Sequence, residues 1–118
     1  MNLRTLGEYT AQKVFDKVAE HLIKQGKKSI SKGMCMYRSP DGSKCAAGFL
    51  ISDEEYRPNM ENKPYQDIIE GYNYSRKHLR LISDLQLLHD SEPVYKRREQ
   101  LVELAIRNNL SIDKVKKL

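Results

Sequence analysis

The stretch TAQKVFDKVAEHLIKQG, residues 10–26, most constrains what this chain can fold into. Ala11, Val14, Phe15, Val18, Leu22 and Ile23 recur at helical spacing, with Lys13, Asp16, Lys17 and Glu20 on the other side. Thr10 supplies an N-cap hydroxyl, and Gly26 suits the left-handed residue just past a helix end. The pattern predicts a helix over 10–25. Its apolar face must be covered by other elements of the chain.

Those elements are visible further along. Leu79, Leu81, Ile82, Leu85 and Leu88 form a second stripe between Ser75 and His89, stopped by Asp-Ser-Glu-Pro. After Pro93, Val94, Leu101, Val102, Leu104, Ala105 and Ile106 form a third, and Ser111 caps a last turn over 112–118. Ser52 and Glu55 make a capping box whose turn ends at Pro58, and Asn62, Pro64 and Gly71 bound a further short helix. The middle, MCMYRSPDGSKCA, alternates like a strand on both sides of Pro40-Asp41-Gly42, the signal of a small β-hairpin. Gly48 in AAGFLI marks a place where another segment passes closely.

The expected fold is mainly α with one small β-hairpin (α+β), as a single compact domain over 1–118. Its parts are a helix at 10–25, a hairpin at 34–47, short helices at 52–71, and a helical hairpin with a C-terminal turn at 75–118. A chain of this length buries roughly two thirds of its unfolded surface, enough for one core.

The chemistry-bearing residues are sparse. Cys35 and Cys45 are ten apart, His21, His78 and His89 are scattered, and no close ligand pair exists, so no metal and no cofactor are expected. In the expected hairpin Cys35 and Cys45 lie diagonally on one inward face with Tyr37, too far apart for a disulfide, and read as reduced, packed thiols. Lys44 beside Cys45 points to the opposite face of a strand, and no Cys/His enzyme signature is present, so no catalytic residue is assigned. His21 and His89 read as surface or helix-terminal groups. The C-terminal spacing of Ala105, Asn109-Leu110-Ser111 and Val115 resembles a helix-turn-helix, but a second helix of 112–118 is too short to lie in a major groove. No apolar run approaches the roughly 20 residues of a membrane span, and the N-terminus lacks a secretory pattern, so a cytoplasmic protein is expected.

Charge is the one strongly localised signal. The net charge is +5. Residues 21–52 hold six bases, Lys24, Lys27, Lys28, Lys32, Arg38 and Lys44, against the single acid Asp41, while bases and acids balance elsewhere. Arg38 and Lys44 should face each other across the hairpin, where like charges repel unless an anion or an acidic side chain lies between them. Arg38, Lys44, Lys27, Lys28 and Lys32 are therefore the candidate contact surface for an anionic or acidic partner. The plain alternative is a solvated basic loop. A second candidate surface is the Tyr-rich segment EGYNYSRKHLR, where Tyr72, Tyr74, Arg76 and Arg80 have the composition of an interface and would suit a homodimer.

The central stretch resembles a family of small bacteriophage and prophage proteins. The shared residues here are Cys35, Tyr37, Arg38, Pro40, Asp41, Gly42, Lys44, Cys45, Ala46, Gly48, Leu50, Ile51, Asp53 and Tyr56. The likeness extends to TAQKVFDKVAEHLIKQGKKS and LQLLHD. The chain departs from the family at Phe49, where another Cys is common, and at Ser52, where a Pro is. The resemblance implies a phage protein acting in the host cytoplasm. The expected role is a non-enzymatic binding protein that blocks or redirects a bacterial host function, as a host-takeover or anti-defence inhibitor, through its basic hairpin and an acidic host protein. One alternative is a sponge for a phosphorylated or cyclic-nucleotide defence signal. Another is a small nucleic-acid-binding regulator.

Overall fold

The computed structural model describes residues 1–91 and 93–118; Glu92, within the Asp-Ser-Glu-Pro stop, lies outside the described residues. In chain order the elements are α1 (Ala11–Gln25), β1 (Ile30–Ser31), β2 (Met34–Cys35), α2 (Ala46–Leu50), α3 (Tyr65–Gly71), α4 (Leu79–Asp90), α5 (Arg97–Arg107) and α6 (Asp113–Lys117). The chain is a mainly α-helical compact single domain with one two-stranded antiparallel hairpin. Its extents are 35 × 33 × 19 Å. No helix among the described residues is long and apolar enough to cross a membrane.

α1 forms as its sequence dictates. Thr10 Oγ1 accepts from Lys13 N at 3.2 Å, and Gly26 at φ +64° ends the helix. Val14, Phe15, Val18, Ala19 and Leu22 are buried. They pack with Ile82 and Leu85 of α4 and Leu101 and Leu104 of α5 in one core. α6 is fastened rather than presented. Val115 is buried, its carbonyl accepts from Arg98 Nη1 at 2.6 Å, and Gln12 of α1 bonds both backbone groups of Ser111. That attachment and its five-residue length fit a closure of the core, not a recognition helix.

The hairpin lies earlier than 34–47. Its ladder pairs Ile30 with Cys35 and Ser31 with Met34, around a turn in which Lys32 (φ +53°) and Gly33 (φ +77°) are left-handed. Asn-Gly is the usual signal for such a turn, and Lys-Gly hides it. The Pro-Asp-Gly turn exists in the expected register, with Ser39 N bonding Ser43 O at 3.0 Å, but its ladder is the single bridge Arg38↔Lys44. The ladder stops because Cys45 starts a helix, its Sγ accepting from Gly48 N at 3.3 Å. The small residues Ala46, Ala47 and Gly48 let α2 turn beneath Tyr37, whose carbonyl oxygen lies 2.0 Å from where a Gly48 Cβ would stand.

The capping box forms, Ser52 N to Glu55 Oε1 at 3.0 Å and Glu55 N to Ser52 Oγ at 3.3 Å, on a turn. Glu55 is buried and also accepts from Leu3 N and Arg4 N, both at 3.0 Å, tying the N-terminus to the middle of the chain.

Candidate functional site

The two strands of the hairpin leave Met34 53% and Ile30 43% exposed, with Lys32 exposed at the turn between them. A cleft of about 310 Å³ separates this hairpin from Pro40, Glu61 and Asn62. Its lining is mainly apolar and includes Lys32, Met34 and Met36.

The basic residues singled out by sequence do not form one open cluster. Arg38 is bound internally. Its Nη1 lies 2.8 Å from Asp53, its Nη2 donates to Ile51 O at 2.8 Å, and its guanidinium stands 4.6 Å over the Tyr56 ring. Glu61 accepts from the backbone N–H groups of Tyr37 and Arg38 and from the Tyr56 hydroxyl. The expected opposition of Arg38 and Lys44 is real, and Arg38 is paired with Asp53. Lys27 pairs with Asp41 at 2.7 Å, Lys28 reaches Asp90 O at 3.0 Å, and Lys44 is held by its backbone to Gln25 and His21. The Lys27 ammonium, then the Ser43 and Ser39 donors, hold the Asp41 carboxyl far below the usual carboxylate range. Lys27 and Lys28 are thus engaged by Asp41 and the Asp90 carbonyl, Lys32 stands exposed at the turn of the ladder, and Arg38 is tied to Asp53 and Ile51.

On the Tyr-rich segment, Tyr72 is 42% exposed and its ring lies 6.1 Å from that of Tyr74. Tyr72 donates to Asn59 Oδ1, Arg76 pairs with Glu70, and Arg80 is exposed. Tyr65, at the start of α3, is buried.

Sequence reasoning missed the grouping of Cys35, His89 and Asp90. Cys35 is exposed rather than packed inward, because the ladder sits at 30–35 and not under the Pro-Asp-Gly turn. His89 is helix-terminal, in the last turn of α4, but wholly buried rather than at the surface. Their possible ligand atoms lie within 4.8 Å of one another. The hydrogen-bond polarity decides what this group can do. His89 Nε2 accepts from Ser29 N at 3.0 Å, so the ring hydrogen sits on Nδ1, which donates to Asp90 Oδ1 at 2.7 Å. A metal on Nδ1 would move the hydrogen to Nε2, against the Ser29 N–H, the reverse of the usual support of a ligating histidine. Asp90 also accepts from the Cys35 thiol. Burial pushes the Asp90 carboxyl up, but the donors from His89, Cys35 and Gln86 outweigh it, so its pKa falls. The carboxylate thus stands between thiol and imidazole, whereas a thiolate nucleophile needs the imidazole next to the sulfur. The group is a brace joining the hairpin to the end of α4.

Cys45 caps α2 inside the core, and burial pushes its thiol up to about 12. One thiol per native chain, Cys35, should react promptly with an aromatic disulfide reagent, and the second only on unfolding. Two prompt thiols would contradict this placement of Cys45.

Two carboxylates, Glu55 and Glu61, accept from three and two backbone N–H groups respectively, and Arg97 is buried with Nη1 on Leu22 O at 2.9 Å. Only the capping-box spacing gave a signal for one of the three, Glu55. No family model, curated protein or solved structure matches this chain.

Proposed function

We propose that the chain is a non-enzymatic binding protein, of the bacteriophage kind its central stretch resembles. In the host cytoplasm it blocks or redirects a bacterial host function by seating its hairpin on an acidic protein face. The observation that carries this reading is the exposure of Ile30 and Met34 on a two-residue ladder whose turn carries the exposed Lys32. An apolar centre with a charged rim is the usual composition of a specific protein contact. The cleft beside Met34 offers room for one side chain of a partner. The polarity of the Cys35–Asp90–His89 brace supports a binding role over a thiol-based reaction.

The contact residues for a test are Lys32 and Met34, since Arg38 serves the fold. Lys32→Asn keeps a residue that tolerates left-handed backbone, and Met34→Ser keeps the strand while removing the apolar contact. A bacterial protein retained by the immobilised chain, then purified, should bind the wild type directly, and the double variant at least about tenfold more weakly. The thermal midpoint of the variant should stay near that of the wild type. A bacterial lysate that yields no direct binder, or a binder indifferent to both substitutions, would refute the hairpin reading.

A further inference from the structure

A second surface, on the side where α1 meets α2, has the chemistry of a small-molecule site. Lys17, Glu20, His21, Lys24 and Gln25 stand at i, i+3, i+4, i+7 and i+8, so helical geometry puts them on one stripe of α1. Phe49 of α2 closes one wall, and the resulting cleft measures about 470 Å³. That is within the range of roughly 300–1,000 Å³ common for ligand sites.

Three features define what it would take. The first is a flat platform: the His21 and Phe49 rings are stacked with centroids 4.4 Å apart and planes 12° from parallel. Phe49 is only half-buried, so part of its ring borders the cleft. The second is an oriented acceptor. His21 Nε2 lies 2.8 Å from Lys44 O, and a carbonyl can only accept, so Nε2 carries the hydrogen. Nδ1 then presents a lone pair that meets no partner among the described residues. Burial lowers the His21 pKa, which keeps this lone pair available at neutral pH. Gln25 fixes the same backbone segment by bonding Lys44 N and O, at 2.9 Å each. The third is positive charge that is not neutralised. Glu20 is held by Lys24 at 2.6 Å and Lys114 at 3.3 Å, whereas exposed Lys17 has no ion pair among the described residues. Lys17 also lines the adjoining smaller cleft, where the three bases Lys13, Lys17 and Lys114 outnumber the two acids Asp16 and Glu20.

We propose that this cleft binds a planar aromatic anion of the nucleoside monophosphate class. The base stacks on Phe49, a ring or amino N–H donates to His21 Nδ1, and the phosphate lies on Lys17 toward Lys13. The site shares no residue with the hairpin contact, so it goes beyond that reading and stands or falls separately.

Adenosine monophosphate, adenosine and inorganic phosphate, titrated by calorimetry and by amide chemical shifts at low salt, test it. The monophosphate should bind saturably, at least about tenfold more tightly than either fragment, with shifts centred on His21 and Phe49. Phe49→Leu should weaken it about tenfold through lost stacking. Lys17→Glu, at an exposed position, should weaken it similarly and flatten its salt dependence, while circular dichroism stays native. The Lys32→Asn/Met34→Ser variant should bind the monophosphate like the wild type. No saturation at millimolar concentration, shifts centred elsewhere, adenosine binding as tightly as its monophosphate, or indifference to Lys17→Glu would each overturn the proposal.

Discussion

Gly48→Ala is expected to destabilise the fold by about 3 kcal/mol or more, toward or beyond the upper end for overpacked sites. The added Cβ would stand 2.0 Å from the Tyr37 carbonyl oxygen, 2.7 Å from its carbon and 3.0 Å from its Cα. All three are backbone atoms, so no side-chain rotation relieves the clash. Tyr37 cannot retreat cheaply either, because its N–H is bound to Glu61 at 2.9 Å and its hydroxyl donates to Lys63 O. In a domain of this size the melting temperature should fall by about 10 °C or more. Gly71→Ala is the control: nothing lies within 4 Å of its Cβ position, and its helical backbone favours alanine. Urea denaturation followed by circular dichroism reads both, and a Gly48→Ala midpoint equal to wild type would show that α2 does not pass under Tyr37 as described.

Glu55→Ala should cost about 3 kcal/mol, since it leaves the buried N–H of Leu3, and those of Arg4 and Ser52, without their acceptor. The same carboxylate makes stability depend on pH. Burial raises the Glu55 pKa, but the backbone donors of Ser52, Leu3 and Arg4 outweigh it, so the folded value lies below the ordinary one. The unfolded chain then takes up the proton first as pH falls. Glu55's contribution is fully present above the unfolded pKa of about 4.3, and is lost as pH drops through the folded value. Glu55→Gln should therefore show a shallower loss of stability between neutral pH and about pH 3 than the wild type. Equal slopes for both proteins would mean that Glu55 is not the anchor of the N-terminus.

α1 was legible almost to the residue because everything that makes it is local: a capping threonine, a stripe at helical spacing and a terminal glycine. The capping box at Ser52 and Glu55, the close approach at Gly48 and the opposition of Arg38 and Lys44 were legible for the same reason. The hairpin ladder was displaced because two weak turn signals compete within fifteen residues. Backbone pairing at Lys32-Gly33 won, while Cys45 diverted the later segment into α2. α4 begins at Leu79 rather than Ser75, because His78 holds φ +67° and bonds Tyr9 O, a residue far away in sequence.

The candidate sites divide along the same line. Sequence alone determined that positive charge gathers within residues 21–52, since charge is counted without knowing the fold. The spacing that puts Lys17, His21 and Lys24 on one face of α1 is local in the same way. Only the tertiary structure decided which of these charges are engaged within the fold. Asp53 and the Ile51 carbonyl engage Arg38, and Asp41 engages Lys27 across fourteen residues. Only the tertiary structure brought Phe49 onto His21, and Cys35 onto Asp90 and His89. Local spacing fixes which side chains share a face of one element. Contacts between elements depend on how several faces pack at once, and no single stretch of sequence contains that information.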